Sequence, residues 1–392
     1  MIRIAQLKLH GYKSIEDVPS LSLGALNVLI GANGAGKSNL VSFFRLIQNM
    51  MGRRLQDFVG ESGRGNSMLH YGAKRTPRIE ARLTLENEAG FVGRYAFQLQ
   101  HVPEDTLMIA EEGIEYSFAM TSAVEPSEMG QARTRPVGRA NLETAVWGSV
   151  EAPYAREPDY PQFRESLVAV RECLGRCCVY HFHDTSPESR IRQTADRDDN
   201  LALHSDGGNL AAMLYRFRSA AAEGERVAYY RIVETFRQLA PWFGEFVLEP
   251  DPRNPEKIRL RWRDKGSEVV FGPHVLPDGA LRAIALITLL LQPREMLPRL
   301  IVIDEPELGL HPFAINALAG LVAAAACHCQ VILATQSVSL LEHFDPEDVV
   351  VVERQHGAST FNRLPLDDLK EWLEDYSLGE LWQKNVIGGG PV

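Results

Sequence analysis

Gly31-Ala32-Asn33-Gly34-Ala35-Gly36-Lys37-Ser38 decides the fold. It fits Gly-x4-Gly-Lys-Ser/Thr, follows an apolar run over 24–30 that reads as a buried strand, and opens a helix predicted over 37–50 from apolar residues at helical spacing. The order strand, glycine-rich loop, helix cradles phosphate for separable reasons. Glycines let backbone N–H groups converge on phosphate oxygens, and the helix N-terminus adds the positive end of its dipole. Lys37 can reach the β- and γ-phosphates, and the Ser38 hydroxyl can ligate Mg2+. Gly31, Asn33, Gly34, Ala35, Gly36, Lys37, Ser38 and Asn39 are therefore the expected binding residues for ATP or GTP. A chance glycine-rich turn competes with this reading, and the flanking strand and helix weigh against it.

Leu300-Ile301-Val302-Ile303-Asp304-Glu305 is the second motif, an apolar strand ending in two carboxylates. Asp304 at the strand end can hold Mg2+ through water, and Glu305 can orient or deprotonate the attacking water. Alone, the same residues would read as a strand running into a solvated acidic turn.

The rest of the chain narrows the class. Its 392 residues suggest about two domains or one with a large insertion. With 45% hydrophobic and 23% charged residues it should fold, and a net charge of −10 gives no overall attraction to phosphate backbones, so any DNA contact must be local. Five cysteines, two of them adjacent, fit a reducing compartment, the N-terminus lacks the apolar core of a signal peptide, and no apolar run is long enough to span a bilayer. A cytoplasmic protein without membrane contact is expected.

Alternating strands and helices between 244 and 363 predict a parallel sheet, which with 1–50 forms an α/β core. Residues 51–120 read as an antiparallel β subdomain, 121–243 as a mobile connection followed by a helical insertion, and 364–392 as a helical tail with a frayed Gly-rich end. No sustained heptad pattern fills the interval between Lys37 and Gly279, which excludes a long coiled-coil arm.

Asp304 lies 267 residues after Lys37, much farther than in ring-forming ATPases, and Leu276-Pro277-Asp278-Gly279-Ala280-Leu281-Arg282 leads into an apolar helix shortly before it. Taken in order, GANGAGKSN, LPDGALRAIAL, LIVIDEPELGLHP and VILATQSVSLL resemble the motifs of ABC-type ATPases of the SMC, RecF and OLD group. The likeness is greatest to the OLD-like "predicted ATPase" branch, to which HFHDTSP at 181–187 and DGGNLAAML at 206–214 also conform. The resemblance implies a three-layer P-loop NTPase head with an antiparallel β lobe and a helical insertion. It also implies a homodimer in which the signature helix, through Asp278 and Gly279, completes the partner's ATP site in trans.

Two positions depart from that pattern. Pro277 stands where a signature serine is expected, removing a hydroxyl and an N–H, and Gln336 replaces the switch histidine, keeping a hydrogen-bonding amide but no titratable proton. Slow hydrolysis follows, with Glu305, Gln336 and Lys37 as the catalytic set and Ser38 with Asp304 as the Mg2+ ligands. His311 in LGLHP matches a loop that contacts the other subunit, or simply flanks a helix. Lys13 and Ser14 match a turn that approaches nucleotide, or are solvated.

Cys327-His328-Cys329 and Cys173, Cys177 and Cys178 lack the paired spacing of structural zinc sites, and His181 and His183, alternating as on a strand, read as hydrogen-bonded histidines near the nucleotide-lobe junction, with a metal role as the alternative. The basic stretch 53–78, Arg133, Arg135 and Arg139, and Arg190, Arg192 and Arg197 are candidate DNA contacts. OLD-type proteins often carry a C-terminal Toprim nuclease, but only 38 residues follow Arg354. The leading expectation is an ATPase that senses DNA or controls a separately encoded effector, such as a nuclease in phage defence. A RecF-like repair ATPase and an ATP-gated scaffold with negligible turnover are the alternatives.

Overall fold

A computed structural model describes residues 1–118, 131–148, 153–364 and 366–390. Its centre is a six-stranded sheet in the order Ala358–Arg363, Val349–Gln355, Leu26–Ile30, Gln330–Thr335, Leu300–Asp304, Cys177–Tyr180. Five of these strands run parallel, and Ala358–Arg363 returns antiparallel at one edge. The inner strands are near-continuous apolar runs because both faces are covered. Alternate side chains enter separate cores. Val28, Ile30, Ile301, Ile303, Val331 and Leu333 face the helices Leu210–Ser219, Glu223–Leu239, Asp278–Leu291 and Pro312–Ala326. Leu29, Leu300, Val302, Ile332 and Ala334 face the other way, onto the phosphate-loop helix Lys37–Met51 and the helix Tyr160–Leu174.

Beyond those two helices lies an antiparallel six-stranded sheet, Ile15–Ser22, Arg3–Tyr12, Arg78–Asn87, Gly90–Val102, Thr106–Phe118, Gln131–Asn141. The expected α/β head with an antiparallel lobe is thus the observed fold. Four local readings change. Cys177–Tyr180, inside the stretch read as a connection and helical insertion, is a core strand paired with Leu300–Asp304. The first two strands join the lobe sheet although sequence groups them with the core, because Arg3–Tyr12 pairs with the distant strand Arg78–Asn87 and with Ile15–Ser22, and not with the adjacent phosphate-loop strand. Gln131–Asn141, inside the stretch read as a mobile connection, is a lobe strand, and the rest of that reading falls partly on 119–130 and 149–152, outside the described residues. The tail forms helices Leu366–Asp375 and Leu378–Gln383, and its glycines are docked, not frayed: Gly389 N donates to Glu353 Oε1 at 3.0 Å and Gly390 N to Asn385 Oδ1 at 3.0 Å.

Among the described residues the longest helix, Glu223–Leu239, has 17 residues, and none is long and apolar enough to cross a membrane. Several arginines offered as DNA contacts are instead structural. Arg135 is buried and donates to Asp159 Oδ1 at 2.5 Å and Glu157 Oε2 at 2.7 Å, while Arg133 and Tyr116 donate to Asp159 Oδ2 at 2.8 and 2.6 Å. Burial alone would raise the Asp159 carboxyl pKa, but these donors outweigh it and hold it at about 2. An unfolded aspartate titrates near ~3.9, so this contribution to stability is complete above that pH and lost as pH falls toward about 2. Arg135→Met is expected to destabilise the protein by roughly 3 kcal/mol at neutral pH in urea unfolding, and Asp159→Asn added to it to recover part of the loss, since the cost arises from an under-paired buried charge. An unchanged midpoint for Arg135→Met would contradict this.

Candidate active site

Four parallel strands end at one edge of the core sheet. Register pairs Thr335 with Ile30, Asp304 with Ala334 and Tyr180 with Ile303, so the phosphate loop, the acidic loop, the Gln336 loop and the His181–His183 segment all emerge together. Open α/β sheets bind ligands outside such strand ends.

Gly36 is the N-cap of the phosphate-loop helix with φ 117°, and a Cβ there would stand 2.0 Å from Ser359 Oγ, so only glycine admits both the turn and the approach. The loop is braced from outside. Ser359 Oγ donates to Ala35 O at 2.6 Å and pairs with Ser14 Oγ at 2.6 Å, and Asn39 Nδ2 donates to Ser14 Oγ at 2.5 Å. Ser14 therefore supports the loop, and the Asn39 side chain is committed to that support. Lys13 donates to Ser42 Oγ at 2.7 Å on the loop's own helix. Asn33, Gly34 and Ser38 are exposed, whereas Gly31, Ala35 and Lys37 are buried.

The Lys37 ammonium donates to Gly31 O at 2.5 Å and Ala32 O at 3.2 Å. Burial lowers its pKa, opposed by the attraction of Asp304, Glu305 and Glu307. Asp304 is largely buried, which raises its pKa against the pull of Ser38, His183, Lys37 and Arg45, and its Oδ1 is buried without a hydrogen-bond partner among the described residues. A lone carboxylate oxygen beside a serine hydroxyl suits a hard divalent cation, which takes oxygen ligands. The expected Ser38 and Asp304 pair therefore fits Mg2+.

Glu305 takes the left-handed conformation, φ 44°, at the point where the chain leaves the strand, and its N–H donates to Ala334 O at 2.7 Å. Gln336 Nε2 donates to Glu305 Oε1 at 2.8 Å, so the carboxylate and amide are joined across the two loops. His183 meets the Asp304 carbonyl at 2.9 Å and packs against His181 with ring centroids 3.9 Å apart. Burial, with His183 and Arg45, lowers the His181 pKa to about 4, leaving a neutral imidazole at pH 7.

Sequence reasoning missed the parts that hold this arrangement. Arg192 is buried and donates to Thr185 O at 2.7 Å, Leu276 O at 3.1 Å and Asp278 Oδ1 at 2.6 Å, and also bonds Pro273 O, so it fixes the signature turn instead of contacting DNA. Arg282 joins the same turn's helix to the neighbouring loops through Phe182 O at 3.2 Å, His183 O at 2.8 Å and Leu308 O at 3.1 Å. Pro277 is the N-cap of Asp278–Leu291 and offers no side-chain cap. His311 caps Pro312–Ala326, accepting from Phe313 N at 3.2 Å, and is exposed. Buried arginines and long-range caps have no short sequence signature. Glu307, half-buried, lies inside the DEPELG motif and was legible only as part of it. Cys173, Cys177 and Cys329 are buried thiols whose pKa burial raises, and the described residues contain no cluster of metal-ligating side chains.

A family model described as "AAA domain, putative AbiEii toxin, Type IV TA system" matches residues 26–125 and 181–342, more than half of the chain. The chain belongs to this AAA-domain family. No curated protein matches it in sequence. Its fold is similar to solved Smc heads. The "SmcHead bound to the C-winged helix domain of ScpA" aligns over 94% of this chain and 99% of that one, with 16% identity and a TM-score of 0.55. A Smc head with an extended coiled coil bound to the C-terminal domain of ScpA, from Pyrococcus furiosus, gives 15% identity over 96% and 99% with a TM-score of 0.54. A head with a coiled coil and joint from Pyrococcus yayanosii gives 13% over 96% and 99% with 0.52. The AAA-domain family supplies the ATPase class, and the fold is the SMC-type P-loop head.

In this AAA-domain chain, Gly279 packs so closely that a Cβ would lie 2.3 Å from Gly309 O. Gly279→Ala is expected to cost about 1–3 kcal/mol in urea unfolding, because a backbone oxygen and not a flexible side chain must move. A midpoint equal to wild type would show that the signature turn and the LGLHP loop are not locked together.

Proposed function

We propose that this AAA-domain protein binds MgATP at the phosphate loop, engages a second copy head to head, hydrolyses ATP slowly, and through that cycle controls a separately encoded effector. The observation that carries the reading is the joined pair Glu305 and Gln336 facing the edge from which Lys37 and Ser38 emerge. Lys37 exchanges the Gly31 and Ala32 carbonyls for phosphate oxygens. Glu305 accepts a proton from the attacking water while the Gln336 amide orients the carboxylate. Ser38 and Asp304 would hold Mg2+, which neutralises charge developing on the phosphates.

Head-to-head pairing is supported by the signature turn. Asp278 remains more than half exposed although Arg192 grips one oxygen, and Val275, Leu308 and Phe313 expose apolar surface around it. The free N–H groups of the Asp278–Gly279 helix end suit a γ-phosphate supplied by a partner. Slow turnover follows from Pro277, which contributes neither hydroxyl nor N–H there, and from Gln336, which carries no proton. Effector control, in the manner of the OLD-like branch, is supported by the motif order and by the toxin–antitoxin wording of the family description. DNA is the less favoured trigger at Arg135 and Arg192, whose guanidinium groups are buried against carboxylates.

Sedimentation of the Glu305→Gln variant tests the cycle. With MgATP it is expected to run as a dimer and without nucleotide as a monomer, and Phe313→Arg added to it, on an exposed apolar side chain, should abolish the dimer while leaving ATP bound. A monomer at saturating MgATP would overturn the head-to-head reading. A turnover increase with duplex DNA that fades with salt would favour the DNA-sensing alternative.

A further inference from the structure

We propose that Glu307 is a positioning residue of the hydrolytic site, acting through the Thr335 hydroxyl to fix the loop that presents Gln336 to Glu305. The proposal rests on the ATPase reading and adds a residue that reading does not use.

Two loops leave adjacent parallel strands, with Asp304 registered on Ala334. The first turns sharply at Glu305 and brings Glu307 back over the second strand. Thr335 is fully buried, and its hydroxyl donates to Glu307 Oε1 at 2.6 Å while accepting from Ser337 N at 2.9 Å. A hydroxyl has one proton. Because that proton is given to Glu307, the lone pairs face the Ser337 amide, and the backbone on either side of Gln336 is held. Ser337 then caps the short helix Val338–Leu341 through Leu340 N at 3.2 Å. Glu307, Thr335, Ser337 and that helix form one chain of contacts, and Gln336 projects from its middle to meet Glu305 Oε1 at 2.8 Å.

The Glu307 carboxyl is tied to the same loop by more than one contact. Burial raises its pKa, and Thr335 together with the backbone amides of Glu307 and Gln336 pulls it back down. Glu307 also acts electrostatically on Lys37, which ties this chain of contacts to the phosphate loop. Without an acceptor at 307 the Thr335 hydroxyl is free to rotate, the Ser337 amide loses a fixed partner, and the Gln336 amide is no longer placed.

The test is a double-mutant cycle on the full chain, read as kcat and KM for ATP together with amide hydrogen exchange over 335–341. Glu307→Ala is expected to lower kcat about tenfold or more with KM within about threefold, and to speed exchange at Ser337. Adding Gln336→Ala should cost nothing beyond Gln336→Ala alone, because both changes remove the same placement. Glu307→Gln keeps an acceptor for the hydroxyl and should recover kcat to within about threefold. Thr335→Val removes the hydroxyl at nearly constant shape and should reproduce the Glu307→Ala effect, which keeps the test valid if Glu307→Ala does not fold. Multiplicative losses in the double variant, or unchanged exchange, would overturn the proposal. If wild type itself shows no turnover, the ATPase reading fails, and the exchange data alone decide whether Glu307 orders the loop.

Discussion

Ile30 lies opposite Thr335 and Asp304 opposite Ala334 because their three strands hydrogen-bond in parallel register, and the chemistry depends on that alignment. Ile30 delivers the phosphate loop, Thr335 delivers Gln336, and Asp304 delivers Glu305. A one-residue slip in any pairing would turn a strand's core side chains to the opposite face, which both cores resist. The register is therefore fixed by apolar packing on two sides of the sheet, at a distance from the residues it serves. The left-handed turn at Glu305 is the local strain this arrangement keeps.

Charge is arranged on the same principle. One buried ammonium, Lys37, is attracted by Asp304, Glu305 and Glu307, and burial works against the charged form of both Lys37 and the carboxylates Asp304 and Glu307. Such a group is held by satisfied hydrogen bonds where the loops supply them and is left incomplete where a ligand must enter. Asp304 Oδ1 is the incomplete place. Around it, Ser14 and Ser359 brace the phosphate loop, and Arg192 and Arg282 brace the signature turn. These contacts join segments 86 to 345 residues apart, so the site is rigid only in the complete fold.

The head was legible in the sequence wherever a motif combines a local pattern with a backbone requirement. The phosphate loop, the acidic strand and the alternation of strands and helices after residue 244 were of this kind. The boundary between core and lobe was not, since Arg3–Tyr12 alternates as any half-buried strand does and nothing local says that its partner is Arg78–Asn87. The tail misled for a similar reason, because a glycine run looks unanchored until Glu353 and Asn385 are seen to accept its amides. Within the site, Lys37, Ser38, Asp304 and Glu305 could be named from pattern. Arg192 could not, because an arginine in a polar stretch reads as solvated, and only the fold shows four acceptors closing around its guanidinium.

Phosphate release from MgATP by the purified full chain, with Lys37→Ala and Glu305→Gln measured beside it, tests most directly whether this edge of the sheet is a hydrolytic site. Wild type is expected to release phosphate steadily, at the slow end of the usual range of about 1–1,000 per second or below it. Lys37→Ala should lose both nucleotide binding and release, and Glu305→Gln should lose release alone. Release by wild type no faster than by both variants would contradict the account.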